Sequence, residues 1–337
     1  RKPNYDFFRI IMAFLVVVIH VNAYFLNFEE EITTVVVIVE NFINVITRIA
    51  VPGFFMLSGA LVLHGASINN PVVFYKNAIY KILIPFWMIY LFWGTWYTVK
   101  SFGNSEPFVT IVSIWLRCTF GNLWFMPVLC AIYLIAPLLN HFRRAFGNYI
   151  FEIVTVIMIL WAVLSAITTT YLLPYSIGNV ISFLAYFMLG YVLFEKDHIF
   201  KKNYLYPFII IIIASITTCF RIYVSQIYAV DPYKAFFSPA VVLMSILVFD
   251  WFGKLKIQNM EFMRWLSDKA YYIYLLHSIV IYILLKVSDL LLISPIIKIV
   301  CVSIIGFMIS LVLATIWDYF RKVLDRKYKI KQKITSD

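Results

Sequence analysis

The stretch that decides the fold runs from Phe7 to Phe25 and reads FFRIIMAFLVVVIHVNAYF. It is apolar and about as long as a bilayer crossing, which takes roughly 20 residues. Two ionisable groups interrupt it, Arg9 and His20. Eleven steps of about 100° bring a side chain back to within roughly 20° of its starting direction. The two groups therefore share one helix face, about 16 Å apart along the axis. Arg9 lies near the end where the chain enters the membrane, and His20 lies well inside. An ionisable residue in the hydrocarbon region is costly and marks a water-filled cavity or a functional site. The other reading of His20 is a hydrogen bond that glues two helices together.

The rest of the chain extends this pattern. Hydrophobic residues make up 63% and charged residues 13%, the balance of a polytopic membrane protein and not of a soluble domain. The first apolar segment is too long for a signal h-region and no small-residue cleavage site follows it, so a retained first span is expected. The fold class expected is all-α, with about ten transmembrane helices and both termini cytoplasmic. The ten segments are 7–27, 43–64, 77–98, 122–140, 149–170, 178–195, 205–224, 234–253, 270–287 and 295–319.

The formal charge of +11 raises the question of nucleic acid, and its distribution answers it. With the N-terminus inside, all but seven of the 28 basic residues fall on the cytoplasmic side. The seven are Arg48, Lys100, Arg117, Arg221, Lys234, Lys286 and Lys298. That bias is a topology signal, and no nucleic-acid partner is expected. Residues 1–320 read as one transmembrane domain and 321–337 as a basic cytoplasmic tail or linker. The tail suits anionic headgroups, or leads into a partner domain beyond this chain.

Four cysteines, Cys118, Cys130, Cys219 and Cys301, are scattered through apolar segments without ligand spacing, so they read as small hydrophobes and no metal is expected. There is no G-x-x-x-x-G-K-[ST], H-E-x-x-H or G-x-S-x-G, which removes support for ATP-driven transport, zinc hydrolysis and the serine-hydrolase elbow.

Several features mark the path of the chain. The acidic run at 29–31 reads as solvated surface. The amphipathic stretch Thr33 to Thr47 either lies along the membrane or extends the second span. Pro52 and Gly53 are expected to break or kink that span, and broken backbone at membrane depth is tolerated where it is buried or lines a cavity. Arg48 beside the break suits such a cavity; the alternative is a side chain snorkelling to the outer interface. Trp124, in Leu-Trp124-Phe125, suits an interfacial belt. Gly190 offers a small residue for close helix packing. Tyr274 and His277 are three residues apart in the ninth span and share a face. No internal repeat or inverted symmetry is visible, which weakens a secondary-transporter reading.

At these residues the chain resembles the acyltransferase-3 family of membrane acyltransferases. The first motif is Arg9-x10-His20, preceded by Asp6 as in the family's frequent Asp-x-x-Arg start. The second is Arg48-x-Ala-Val-Pro-x-Phe-Phe-x-x-Ser-Gly, close to the form in the shorter branch of the family. That branch includes polysaccharide acyltransferases and the membrane part of vancomycin-resistance serine racemases. The third is Leu-Trp124-Phe125 with Tyr133-Leu-Ile-Ala-Pro137, and the fourth is Ile-Tyr274-Leu-Leu-His277.

The resemblance implies a ten-helix core in the cell membrane. That core moves an acyl group, commonly acetyl, from cytoplasmic acyl-CoA to a hydroxyl of an outer acceptor such as a cell-wall or surface glycan. In the family the Arg and His of the first motif are regarded as functional, and here they are Arg9 and His20; the second-span Arg corresponds to Arg48. Arg and Lys at the cytoplasmic mouth suit the phosphates of CoA, so Arg9, Lys76 and Lys81 are candidates, with Trp124 counted on the donor-binding side. Neutral His20 is the candidate general base, or a transient acyl-histidine. Arg48 is placed to hold the acceptor or stabilise the acyl oxygen, and Tyr274 and His277 to orient His20 or line the passage. The same cavity would serve a competing activity, uptake of a small solute such as L-serine.

Overall fold

The structure is a computed structural model and describes residues 2–28, 33–103, 108–109, 112, 123–167, 175–196, 199–225, 234–258, 260–291 and 293–334. The acidic run at 29–31, Trp115, Arg117, Cys118, Gly121 and Asp231 lie outside the described residues, as do the side chains of Lys100, Lys234 and the tail beyond position 323. Among the described residues all regular structure is helical. The chain forms two compact units. One is Arg1–Glu31 with Gln258–Asp337, and the other is Ile32–Ile257.

The first unit is three helices: α1 (Pro3–Phe28), α10 (Glu261–Ser288) and α11 (Pro295–Ile334). Every pair of the three is in contact. One face of α1, Phe8, Met12, Val16 and Ile19, is buried, and Val17 and Val21 are buried on the opposite side. Phe14 meets Phe307 edge-on, with ring centroids 5.5 Å apart. A Cβ on Gly306 would lie 3.5 to 3.8 Å from side chains of Leu284, Ile281 and Val17, so all three helices approach closely at that point. The helix α11 does not stop at 320: Arg321 and Lys322 continue it, and their charges bond back to Asp318.

The second unit holds the other helices. In chain order they are α2 (Thr34–Thr47), α3 (Ala50–Leu63), a 3₁₀ turn (Ala66–Asn69), α4 (Pro71–Ala78), a π turn (Ile79–Leu83) and α5 (Ile84–Gly103). They continue with α6 (Phe125–Ile167), α7 (Tyr175–Glu195), α8 (Leu205–Ser225), a second 3₁₀ turn (Lys234–Phe237) and α9 (Pro239–Lys254).

Local sequence explains the joints. Thr33 caps α2 by accepting a hydrogen bond from the Val36 N–H. The amphipathic stretch extends the second span: after a turn at Arg48 and Ile49 it runs on as α3, and the two form one 30-residue apolar segment, Thr34–Leu63. Pro52 sits in the first turn of α3, where a missing N–H costs little. The π turn precedes Pro85, whose ring would clash with the Lys81 carbonyl in an unbroken α-helix. Gly147, at φ 85°, folds α6 in two, a conformation that suits a residue without Cβ. Pro239 opens α9 behind the Ser238 cap.

Glycine also sets one packing contact. A Cβ on Gly190 would fall 1.9 Å from the Met56 carbonyl oxygen, and one on Gly59 would fall 1.7 Å from that of Phe187. Helices α3 and α7 thus meet backbone to backbone, the close approach expected of Gly190.

Among the described residues seven helical segments are long and apolar enough to cross a membrane, so the chain is an all-α, multi-pass membrane protein. The difference from ten lies in three places. Two expected segments share the folded α6. The described apolar part of α7 is Gly178–Phe194, within a 21-residue helix. The 16 residues of α9 reach about 24 Å, short of a 30 Å hydrocarbon core.

Candidate functional site

In the first unit the two histidines meet. The His20 and His277 rings lie 5.1 Å apart between centroids, tilted by 33°. His277 is completely buried, and its Nδ1 lies against the Tyr274 carbonyl. A carbonyl only accepts, so that network assigns the proton to Nδ1 and leaves the lone pair on Nε2. The Ser278 hydroxyl stands 3.4 Å from Nε2 and donates to it. Tyr274 adds a third ring, 5.6 Å from His277. His20 therefore faces a ring whose nitrogens are turned to α10, and what joins the two histidines is ring contact.

Toward the start of α1 the first motif finds its partners. The Ser267 hydroxyl donates to Asp6 Oδ1 at 2.8 Å and accepts from Arg9 Nη1 at 3.1 Å. Arg9 Nη1 also lies 3.9 Å from Asp6 Oδ1. Asp6 and Ser267 are buried, while the Arg9 side chain keeps 26% of its surface exposed. The Asp-x-x-Arg spacing thus ties the guanidinium to Asp6 and Ser267 while the Arg9 side chain stays partly exposed.

One step further, Asp318 of α11 gathers three cations. Lys269 of α10 reaches it from within the buried interior, and Arg321 and Lys322 reach it at 3.0 and 2.8 Å. The Arg321 guanidinium also lies 5.6 Å from the centroid of the Tyr272 ring. This cluster clamps α10 to α11.

In the second unit Arg48 is only 9% exposed, so it does not snorkel. Its Nε donates to Asn44 Oδ1 at 3.2 Å, and its guanidinium stacks 5.0 Å from the Phe236 ring. Arg221 of α8 donates to the same Asn44 oxygen at 2.7 Å. Glu40, Asn44 and Arg48 follow at four-residue spacing, and Glu40 is completely buried. Trp124 packs on Phe236 and Phe183, with centroids 5.7 and 5.6 Å apart. Arg48 and Trp124 therefore share one aromatic wall, which makes Trp124 part of a polar–aromatic cluster.

Lys76 and Lys81 stand apart from that cluster, exposed on α4 and the π turn. At the turn that follows α3, His64 stacks on Tyr191 at 4.5 Å. Arg143 covers Tyr191 at 4.9 Å, and its Nη1 donates to the Tyr191 hydroxyl at 2.8 Å. Among the described residues no three His, Cys, Asp or Glu side chains come together as metal ligands.

Sequence reasoning missed three of these partners. Ser267 carries no signal of its own, since its bond to Arg9 spans 258 positions. Arg221 counted only as an outer charge. Asn44 was legible, because it lies one turn before Arg48 on the same face.

Comparison with known proteins bears on the same residues. A family model described as an acyltransferase domain, acyltransferase type 3, matches residues 2–315. No curated protein and no solved structure matches the chain.

Proposed function

Because the chain belongs to the acyltransferase-3 family, and so is a membrane acyltransferase, we propose that it moves an acetyl group from cytoplasmic acetyl-CoA to a hydroxyl of an outer acceptor, a cell-wall or surface glycan. We take ten crossings of the cell membrane, with both termini inside, as its topology. The observation that carries the reading is the His20–His277 ring contact in a chain whose Arg9 shares the His20 helix face.

In this reading His20 takes the proton from the acceptor hydroxyl as its oxygen attacks the thioester carbonyl. The tetrahedral intermediate collapses, the C–S bond breaks, and the departing thiolate takes the proton back from His20. The acceptor gains an ester and CoA leaves as the free thiol. Positioned acid–base groups of this kind contribute roughly 10² to 10⁴ in rate. His277 supplies a fixed aromatic face for His20, and Tyr274 backs His277. Arg9, held by Asp6 and Ser267 and still partly exposed, is assigned to a donor phosphate, the pairing a guanidinium makes best. Arg48 and Arg221 are assigned to the acceptor, and Trp124, counted toward the donor from sequence, goes with them because it shares the Phe236 ring with Arg48.

The test is the full chain in vesicles given acetyl-CoA labelled in its acetyl group. Label should move to a glycan hydroxyl on the far side. Flux of labelled serine with no acyl donor present, and no label transfer, would overturn the reading in favour of a solute carrier.

A further inference from the structure

One cavity in the second unit takes no part in this chemistry. It holds about 260 Å³ and lies between the α4–π-turn segment and α6. Ala78, Ile79 and Ile82 form one wall, and Leu129, Cys130 and Tyr133 form the other. The Tyr75 hydroxyl donates to the Leu134 carbonyl at 2.7 Å and bridges the two walls. From Leu134 to Leu129 the slot climbs roughly 8 Å along α6. Its shape follows from the π turn, which displaces one side of the helix just before Pro85. Such a slot is not filled by packing, and its walls carry no charged side chain.

Both walls belong to segments apolar enough to cross the membrane, Pro71–Val99 and Phe125–Ile167. Two of the lining residues are themselves apolar and exposed: Ile79 is 45% and Leu134 is 68% exposed. A slot opening there faces acyl chains. Lys76 follows Tyr75 of the wall, and Lys81 precedes Ile82 of the wall, and both are exposed. A lysine at this depth runs its stem along apolar surface and holds its ammonium at the headgroup level.

We propose that the slot binds one acyl chain of an anionic glycerophospholipid, with Lys76 and Lys81 on the lipid phosphate. The match is one of chemistry. The apolar trough suits methylenes, and the two cations beside it suit a phosphate with a net negative headgroup. The assignment gives these lysines to a lipid and leaves the donor phosphates to Arg9. It rests on the membrane reading alone, so it stands or falls separately from acyl transfer.

The experiment uses the purified full chain in detergent and native mass spectrometry of retained lipid. Phosphatidylglycerol should be retained more strongly than phosphatidylcholine of the same chains. Lys76→Gln and Lys81→Gln should each weaken phosphatidylglycerol by about fivefold and leave phosphatidylcholine unchanged. Ala78→Phe, which fills the slot, should release both. As a check that needs no variant, phosphatidylglycerol with a photoreactive acyl chain should crosslink within 78–83 and 129–134. Equal retention of the two lipids, crosslinks spread evenly over lipid-facing helices, or displacement of the lipid by palmitoyl-CoA would each overturn the proposal, the last by giving the slot to an acyl donor.

Discussion

The two units hold their helices together by different means. In the first, charged side chains bond from helix to helix: Arg9 of α1 to Ser267 of α10, and Lys269 of α10 to Asp318 of α11. In the second, α3 and α7 meet through glycine, with backbone against backbone and no charge at the contact. Lipid tails are as apolar as leucine, so burying apolar area does not by itself join helices in a bilayer. What remains is polar bonding or close van der Waals approach, and each unit relies on one of these at its main contact. The unit that carries the histidine pair uses directional bonds. Such bonds fix rotation about the helix axis, and rotation of α1 is what keeps His20 against His277.

The comparison predicts that the first unit breaks at Asp318. Asp318→Asn should cost about 3–5 kcal/mol, because Lys269 would stay buried without its counter-charge. Lys269→Met should cost less, since Asp318 keeps Arg321 and Lys322. Thermal unfolding of the full chain in detergent checks the order, and equal losses from the two variants would show that the clamp is not what the geometry implies.

In the second unit the matching break is Gly190→Ala. Its Cβ would fall 1.9 Å from the Met56 carbonyl, so α3 and α7 must separate. Overpacking of this kind costs about 1–3 kcal/mol, read in the same unfolding experiment. Gly178→Ala is the control, because a Cβ there meets nothing within 4 Å.

The smallest effect sharpens the role of His277. If the ring and not a nitrogen supports His20, His277→Phe should keep kcat within about threefold. His277→Ala should lose up to about tenfold, the worth of one aromatic pair. A collapse of kcat in both variants, with an altered pH profile in the Phe form, would instead make His277 a proton carrier.

How much of this was legible in the chain follows from distance along it. The α1 pair Arg9 and His20, the Pro52 joint and the Gly190 contact were readable, because each rests on local periodicity or on a single residue's backbone freedom. The meeting of His20 with His277 was suggested by two polar groups in apolar spans, yet their ring geometry belongs to the packing of α1 on α10. The Asn44–Arg221 bond spans 177 positions and left no local trace. Lys269 counted only among the cytoplasmic basic residues, and its bond to Asp318, 49 positions on, left no local trace. The break at Gly147 was legible as well: the expected segments 122–140 and 149–170 part on either side of it, and α6 folds there.

The central claim is that His20 performs acyl transfer on a thioester. The measurement that tests it most directly is the rate at which the reconstituted full chain frees CoA thiol from acetyl-CoA, with His20→Ala beside it and the helical signal of both recorded. The account predicts a fall of roughly 10² to 10⁴ in rate with the helical signal unchanged. Thiol release by the His20→Ala chain at the unaltered rate would contradict it.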